Sequence, residues 1–229
     1  MSTDSDLAAH RQHAAELSKG ISGSGVRRLA LRLVQPHGGE AKLLDFGAGT
    51  GDLLRDLHGR GWFRQLAGAD ILTRPDDLPT EIGWLQLDLN ETLDEADRFD
   101  VVLSTEVIEH LENPRAMMRQ LFGLLKPGGK LVLTTPNQES YRSLLSLVLS
   151  GHYAAFRGAS YPAHITALLR LDLERIAKEA GFEQIEFHPS GHGLLPKLCR
   201  WSWQQVSLGV LRGLRFSDNI GMTAVRPAG

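Results

Sequence analysis

A chain of 229 residues and 25.2 kDa suits one large α/β core better than two domains. One cysteine, Cys199, excludes an internal disulfide and points to a reducing, cytoplasmic compartment. The net charge of −2, from 25 basic and 27 acidic residues, lacks the basic excess of a general nucleic-acid binder, so no nucleic-acid partner is expected.

The N-terminus is polar and carries no apolar core of the signal-peptide kind. The longest uncharged window, residues 143–156, is too short to span a bilayer. Charge is unevenly spread. Residues 190–229 hold Lys197, Arg200, Arg212, Arg215 and Arg226 against Asp218 alone, a net +4 that leaves −6 for the first 189 residues.

Residues 1–40 read as a helical cap. Val26, Leu29, Ala30 and Leu33 recur at the spacing of one helical face. The glycine-serine break of residues 19–25 separates them from a weaker pattern at Leu7, Ala14 and Leu17, and Pro36-His37-Gly38-Gly39 closes the region. A core over residues 41–136 then alternates apolar runs with helical patterns. Strands are expected at Ala41–Phe46, Gln65–Ile71, Gly83–Leu89, Asp100–Ser104 and Lys130–Thr135. Their hydrophobicity is continuous rather than alternating, which means burial on both faces and a mostly parallel sheet between helices. One helix is expected near Asp52–Gly59. Another has Asn113 as N-cap, Pro114 at its first position and Lys126 near its end, with Pro127-Gly128-Gly129 as the stop. An insertion over residues 137–169 follows. Residues 170–229 then hold a helix at Arg170–Ala180 and strands at Phe182–Phe187 and Ile220–Val225. The whole chain reads as a single domain.

The most informative stretch is Leu43-Leu44-Asp45-Phe46-Gly47-Ala48-Gly49-Thr50-Gly51-Asp52, a strand that runs through a glycine turn into a helix. Such loops let a ligand approach the backbone closely. Asp52 stands where a dinucleotide loop has its third glycine, and its carboxylate would repel a pyrophosphate. A ligand without phosphates fits better, which argues against a nicotinamide dehydrogenase. Asp70 ends the second strand and Asp88 the third. With Asp45 they gather at the carboxyl edge of the sheet, where open parallel sheets bind ligands.

These stretches, with Phe99-Asp100-Val101-Val102-Leu103-Ser104-Thr105-Glu106-Val107-Ile108-Glu109-His110-Leu111 and Leu125-Lys126-Pro127-Gly128-Gly129, resemble the class I S-adenosylmethionine-dependent methyltransferases over residues 40–137. The resemblance implies a Rossmann-like, doubly wound seven-stranded sheet. Its last strand would be antiparallel and inserted beside the fifth. S-adenosylmethionine is the implied cofactor. Asp45, Gly47, Ala48, Gly49 and Gly51 would hold its amino-acid part, Asp70 and Ile71 the ribose, and Asp88 and Leu89 the adenine, with Thr105 at the same edge. The segment from Glu106 to Leu111 resembles that of quinone-biosynthesis O-methyltransferases and of related small-molecule and glycan methyltransferases.

An oxygen acceptor gains from a general base. If the segment after the fourth strand is helical, Glu106, Glu109 and His110 share one face. His110 is then a base oriented by a glutamate, a member of a magnesium site with both glutamates, or a packing residue. In the insertion, Tyr161 and His164 face either the acceptor or the core, and Asn137 orients the acceptor or caps a helix. The apolar residues of the insertion and of residues 197–216 serve as lid packing, as walls for a greasy acceptor, or as peripheral membrane contact. The expected activity is O-methylation of a small, lipidic or glycan-linked hydroxyl. Transfer to nitrogen or carboxyl, and a silent cofactor-binding module, stand as alternatives.

Overall fold

The structure is a computed structural model that describes residues 11–13, 23–35, 39–91, 98–196 and 198–229. The pattern at Leu7, Ala14 and Leu17, most of the glycine-serine break, Pro36–Gly38 and Lys197 lie outside these residues.

The elements in order are α1 (Ser24–Val34), β1 (Lys42–Phe46), α2 (Asp52–Arg60), β2 (Gln65–Asp70), β3 (Gly83–Gln86) and β4 (Phe99–Thr105). Then come α3 (Pro114–Leu124), β5 (Leu125–Pro136), α4 (Tyr141–Ser150), α5 (Arg170–Ala180) and β6 (Glu183–Pro189). A small hairpin of β7 (Leu194–Leu195) and β8 (Leu198–Ser202) leads into a single turn, α6 (Trp203–Val206), and β9 (Asn219–Val225) closes the fold. The main sheet has seven strands in the order β3-β2-β1-β4-β5-β9-β6. Strands β1 to β5 pair in parallel, and β9 runs antiparallel between β5 and β6, as expected.

Successive strand residues point to opposite faces, so each central strand feeds two cores. Leu43, Val101, Leu103 and Val132 pack with Leu29 and Leu33 of α1 and Leu54 and Leu57 of α2. Leu44, Phe46, Val102 and Leu131 pack with Met117 and Leu121 of α3 and Leu173 and Ile176 of α5. At the start of α3 the Asn113 side chain accepts the Ala116 N–H at 3.0 Å, with Pro114 at the first position. That cap is worth about 1 kcal/mol.

Two strand boundaries differ from the sequence reading by three residues or more. β5 begins at Leu125, because Leu125 pairs with Phe99 before Lys126–Gly129 loop out and pairing resumes at Lys130. Lys126 therefore lies beyond the helix and pairs with Asp100 at 2.8 Å rather than with the helix end. β3 stops at Gln86, short of Leu89. The β7–β8 hairpin was not expected, and its short, unevenly spaced apolar residues carry no strand period.

Candidate functional site

Two cavities lie at the carboxyl end of β4, where Thr105 lines one and Glu106 the other. The first, of about 20 Å³, is lined by Asp45, Ala48, Thr50, Asp52, Leu53 and Thr105, with Arg27 of α1. The loop beneath it follows β1 with Gly47, Gly49 and Gly51 all in the left-handed region, at φ of 87°, 52° and 75°. A Cβ on Gly47 would come within 2.2 Å of the Val107 side chain, so glycine is required there on two counts. The loop is tied down by its own N–H groups, Gly47 and Ala48 donating to the Ala69 carbonyl and Gly49 to Asp70 Oδ2 at 2.7 Å.

Asp45 is buried and its Oδ1 has no partner. Burial, and then the nearby Asp70, push this carboxyl well above the ordinary range. An orphaned buried carboxylate beside a cavity of this size fits a small cation such as an ammonium. Asp70 is also raised by burial, against the pull of N–H donors from Leu72, Gly49 and Ile71. Asp52 stands at the first turn of α2 and binds Arg55 at 2.6 Å.

Asp88 and the buried Leu89 lie beyond β3. Arg11 bridges Asp88 at 2.8 Å and Glu112 at 2.9 Å. Burial pushes the Asp88 carboxyl up, but the Asn90 donors and Arg11 outweigh it and hold it below its ordinary value. Neither Arg11 nor Arg27 belonged to the site expected from sequence, since isolated arginines in helical segments carry no motif.

The second cavity, of about 280 Å³, is walled by Glu106, Asn137, Arg142, Arg157, Ser160 and His164, among others. Thr105 lines the first cavity and Glu106 the second, so consecutive residues at the end of β4 face the two. Glu106 is not helical, contrary to the shared-face expectation. Its φ of 56° is left-handed, and the helical turn after it covers only Ile108–His110. The Glu106 carboxyl is half-buried, with Oε2 accepting Asn219 Nδ2 at 3.0 Å and Oε1 only a 3.5 Å contact from Thr134. Desolvation lifts it to about 7, against those two donors. Glu109 is fully buried beneath, where burial and then Glu106 raise it well above its ordinary value. Thr135 donates to its Oε2, and its Oε1 has no partner.

His110 and His164 meet edge to face, 4.8 Å between ring centres. His110 Nδ1 lies 2.9 Å from the Ala163 carbonyl, and burial lowers its pKa to about 4, with His164 adding to the effect. The Glu106 carbonyl also faces this ring, and His110 is not among the residues lining the cavity. His164 does line it. Its Nδ1 lies 2.7 Å from the Ala155 carbonyl, which assigns the proton to Nδ1 and leaves Nε2 as an acceptor. Burial lowers this histidine too. The donor atoms of Glu109, His110 and His164 all lie within 4.8 Å of one another. Glu106 is replaced by His164 in that group, and two imidazoles suit transition metals better than magnesium.

Asn137 lies at the cavity wall, but its Nδ2 is used by the Leu214 and Ser217 carbonyls at 2.7 and 2.8 Å. The cap of α4 is Ser140, not Asn137. Tyr161 is 74% exposed and is not a lining residue, although Ser160 and His164 on either side are.

Comparison with known proteins identifies the family and the fold. A model of the methyltransferase domain matches residues 11–186. The ubiquinone biosynthesis O-methyltransferase of Cereibacter sphaeroides is 35% identical over 115 residues, covering 47% of this chain and 46% of the relative. That of Roseobacter denitrificans is 26% identical over 197 residues, 82% of this chain and 74% of the relative. The chain thus spans about half the length of the first of these curated relatives. A solved methyltransferase of Thermotoga maritima, titled a possible histamine N-methyltransferase, superposes with a TM-score of 0.63 at 15% identity, over 97% of this chain and 96% of that one. At that identity the likeness shows the shared fold.

Proposed function

The chain belongs to the methyltransferase domain family as an S-adenosylmethionine-dependent enzyme of class I, and on that premise we propose that it methylates a hydroxyl of a polar acceptor held in the larger cavity, with Glu106 as the general base. One observation carries the reading. A carboxyl with its pKa near neutrality lines the larger cavity, directly after the Thr105 that lines the smaller. The quinone-pathway names of the relatives support oxygen as the acceptor atom.

Asp45, with its free Oδ1, and the loop from Gly47 to Gly51 would hold the cofactor, and Asp70, Ile71, Asp88 and Leu89 its adenosine end. When bound, the cofactor supplies a methyl group activated by its sulfonium charge. The chain's own part is positioning and proton removal. Asn219 fixes Glu106 Oε2, leaving Oε1 to take the acceptor's proton. His164 Nε2 accepts a hydrogen bond from the same hydroxyl or its neighbour and so orients it. His110, held against the Ala163 carbonyl, supports the His164 ring from outside the cavity. A base near the working pH typically contributes about 10²–10⁴-fold.

The walls also bear on the acceptor. Arg142, Arg157, Ser140, Ser143, Ser160 and Gln138 make a polar enclosure. Arg142 is paired with Asp218 at 2.9 Å. Arg157 spends one N–H on the Ala154 carbonyl and makes no ion pair with a described residue, so it suits an anionic substituent. A hydroxylated headgroup or sugar-like acceptor fits these walls better than a bare aromatic ring.

Glu106→Gln is the test. Wild-type kcat should rise with pH through about 7, because the base must be ionised. The glutamine variant should lose about 10²–10⁴-fold in kcat and that acid limb, while calorimetry shows cofactor affinity unchanged. An unaltered pH profile would remove Glu106 from the mechanism.

A further inference from the structure

The two longest stretches without an acidic residue are residues 140–171 and 187–217. Among the described residues, every large hydrophobic side chain that is exposed falls inside these two stretches. They include Val148 at 80%, Leu208 at 95% and Val210 at 80% exposure, with Leu149, Val206 and Trp201 more than half exposed. Apolar residues scattered singly over a surface need no explanation. Confinement to acid-free chain does, because ordinary solvated surfaces mix both signs of charge with the apolar residues.

The fold brings the two stretches together. Tyr141 at the start of α4 meets Phe216 at 5.1 Å and Trp203 at 6.4 Å between ring centres, and Trp203 meets Phe216 at 5.5 Å. Asn137 donates to the carbonyls of Leu214 and Ser217, and Arg215 to that of Glu139. The stretches together carry seven cations, among them Arg200 and Arg212, which form no ion pair with a described residue.

We propose that this joined face docks on an anionic lipid surface, with the residues around Val148 and Leu208 entering the interface and Arg200 and Arg212 meeting the headgroups. Two observations select a lipid surface over a second copy of the chain. Arg142 and Arg170 are neutralised by Asp218 and Glu139, but Arg200 and Arg212 have no acidic partner among the described residues, and a second copy would set these like charges against themselves where a self-complementary interface needs matched ones. Exposed aliphatic and tryptophan side chains beside unpaired arginines are the composition of an interfacial segment. No described helix is long and apolar enough to cross a membrane, so the contact lies in the plane of the surface. The inference goes beyond methyl transfer and does not depend on the acceptor.

The experiment is co-sedimentation of the full chain with vesicles of phosphatidylcholine alone and of phosphatidylcholine with phosphatidylglycerol. The expected result is binding to the anionic vesicles at low salt, much weakened at about 0.5 M salt. Arg200→Glu with Arg212→Glu should lower the partition coefficient by roughly thirtyfold or more. Val148→Asp with Leu208→Asp should lower it on its own, and both pairs should leave cofactor binding unchanged, which shows that they fold. No binding to anionic vesicles at low salt overturns the proposal. Equal binding to neutral vesicles, untouched by the charge variant, overturns it as well. So does sedimentation velocity showing a dimer, sensitive to the Val148 and Leu208 variants, in place of vesicle binding.

Discussion

Glu109 shows at the scale of one residue what the site costs the fold. Its carboxyl is buried, one oxygen is unpartnered, and Glu106 stands close by. Both groups, like Asp45, are raised by burial, so the folded chain holds protons that the unfolded chain releases near pH 4. Such a group stabilises the fold fully below its unfolded pKa, and the contribution is lost as pH rises through the folded value. His110 and His164 act in the opposite sense, but above about pH 6.5 their unfolded imidazoles are at most half protonated, which is less than the protons the three raised carboxyls hold. The cofactor-free melting temperature should therefore fall between about pH 6.5 and pH 8. Glu109→Gln, which removes one of the acids, should flatten the fall in a scanning-fluorimetry series. A slope of the opposite sign would show that these carboxyls are ionised in the fold.

Among the elements, the insertion between β5 and α5 depends on Asn137. Its side chain accepts the Glu139 N–H and donates to two carbonyls of the C-terminal segment, while its own N–H reaches the Asp218 carbonyl. Asn137→Ala should cost about 1–3 kcal/mol, since truncation strands these partners without a bond. The loosened wall should raise the acceptor KM several-fold and leave cofactor affinity unchanged, as steady-state kinetics and calorimetry can separate. The role was not legible in the chain, because Asn137 and its partners lie some eighty positions apart. Local signals read well by comparison. Asn113-Pro114 marks the α3 cap, and the glycines after β1 mark the turn, because there the needed conformation is set by neighbours in sequence. Glu106 fell between the two cases. Its motif was visible, but its left-handed backbone and its partner Asn219 on β9 emerge only once the sheet is assembled.

For the whole molecule, the unusual connection is β9. It is the last strand in sequence but an inner strand of the sheet, bonded to β5 on one side and β6 on the other. Met222 and Ala224 on it are fully buried. A chain ended after Asp218 should therefore fail to fold, leaving two strand edges unpaired, and should show neither a cooperative melting transition nor cofactor binding. Strands and sheet class were readable from continuous apolar runs. The surface was less so. The near-neutral total concealed seven cations in two acid-free stretches, which leaves 18 basic against 27 acidic residues for the rest of the chain. Composition alone assigned the basic excess to the C-terminal segment, and the structure packs the start of α4 against that segment.

Glu106 keeps a side chain where the backbone is relaxed only for glycine, in a place where its carboxyl is also poorly solvated. Strain of this kind typically amounts to about 1–3 kcal/mol. Glycine at that position would relieve both penalties and delete the proposed proton acceptor. A search for sturdier variants would therefore be drawn to this residue, and on the proposed mechanism the hardier proteins it returned would have lost their turnover. With Glu106 as the proposed base, robustness and activity pull against each other at this one position, so efforts to harden the enzyme belong elsewhere on the chain.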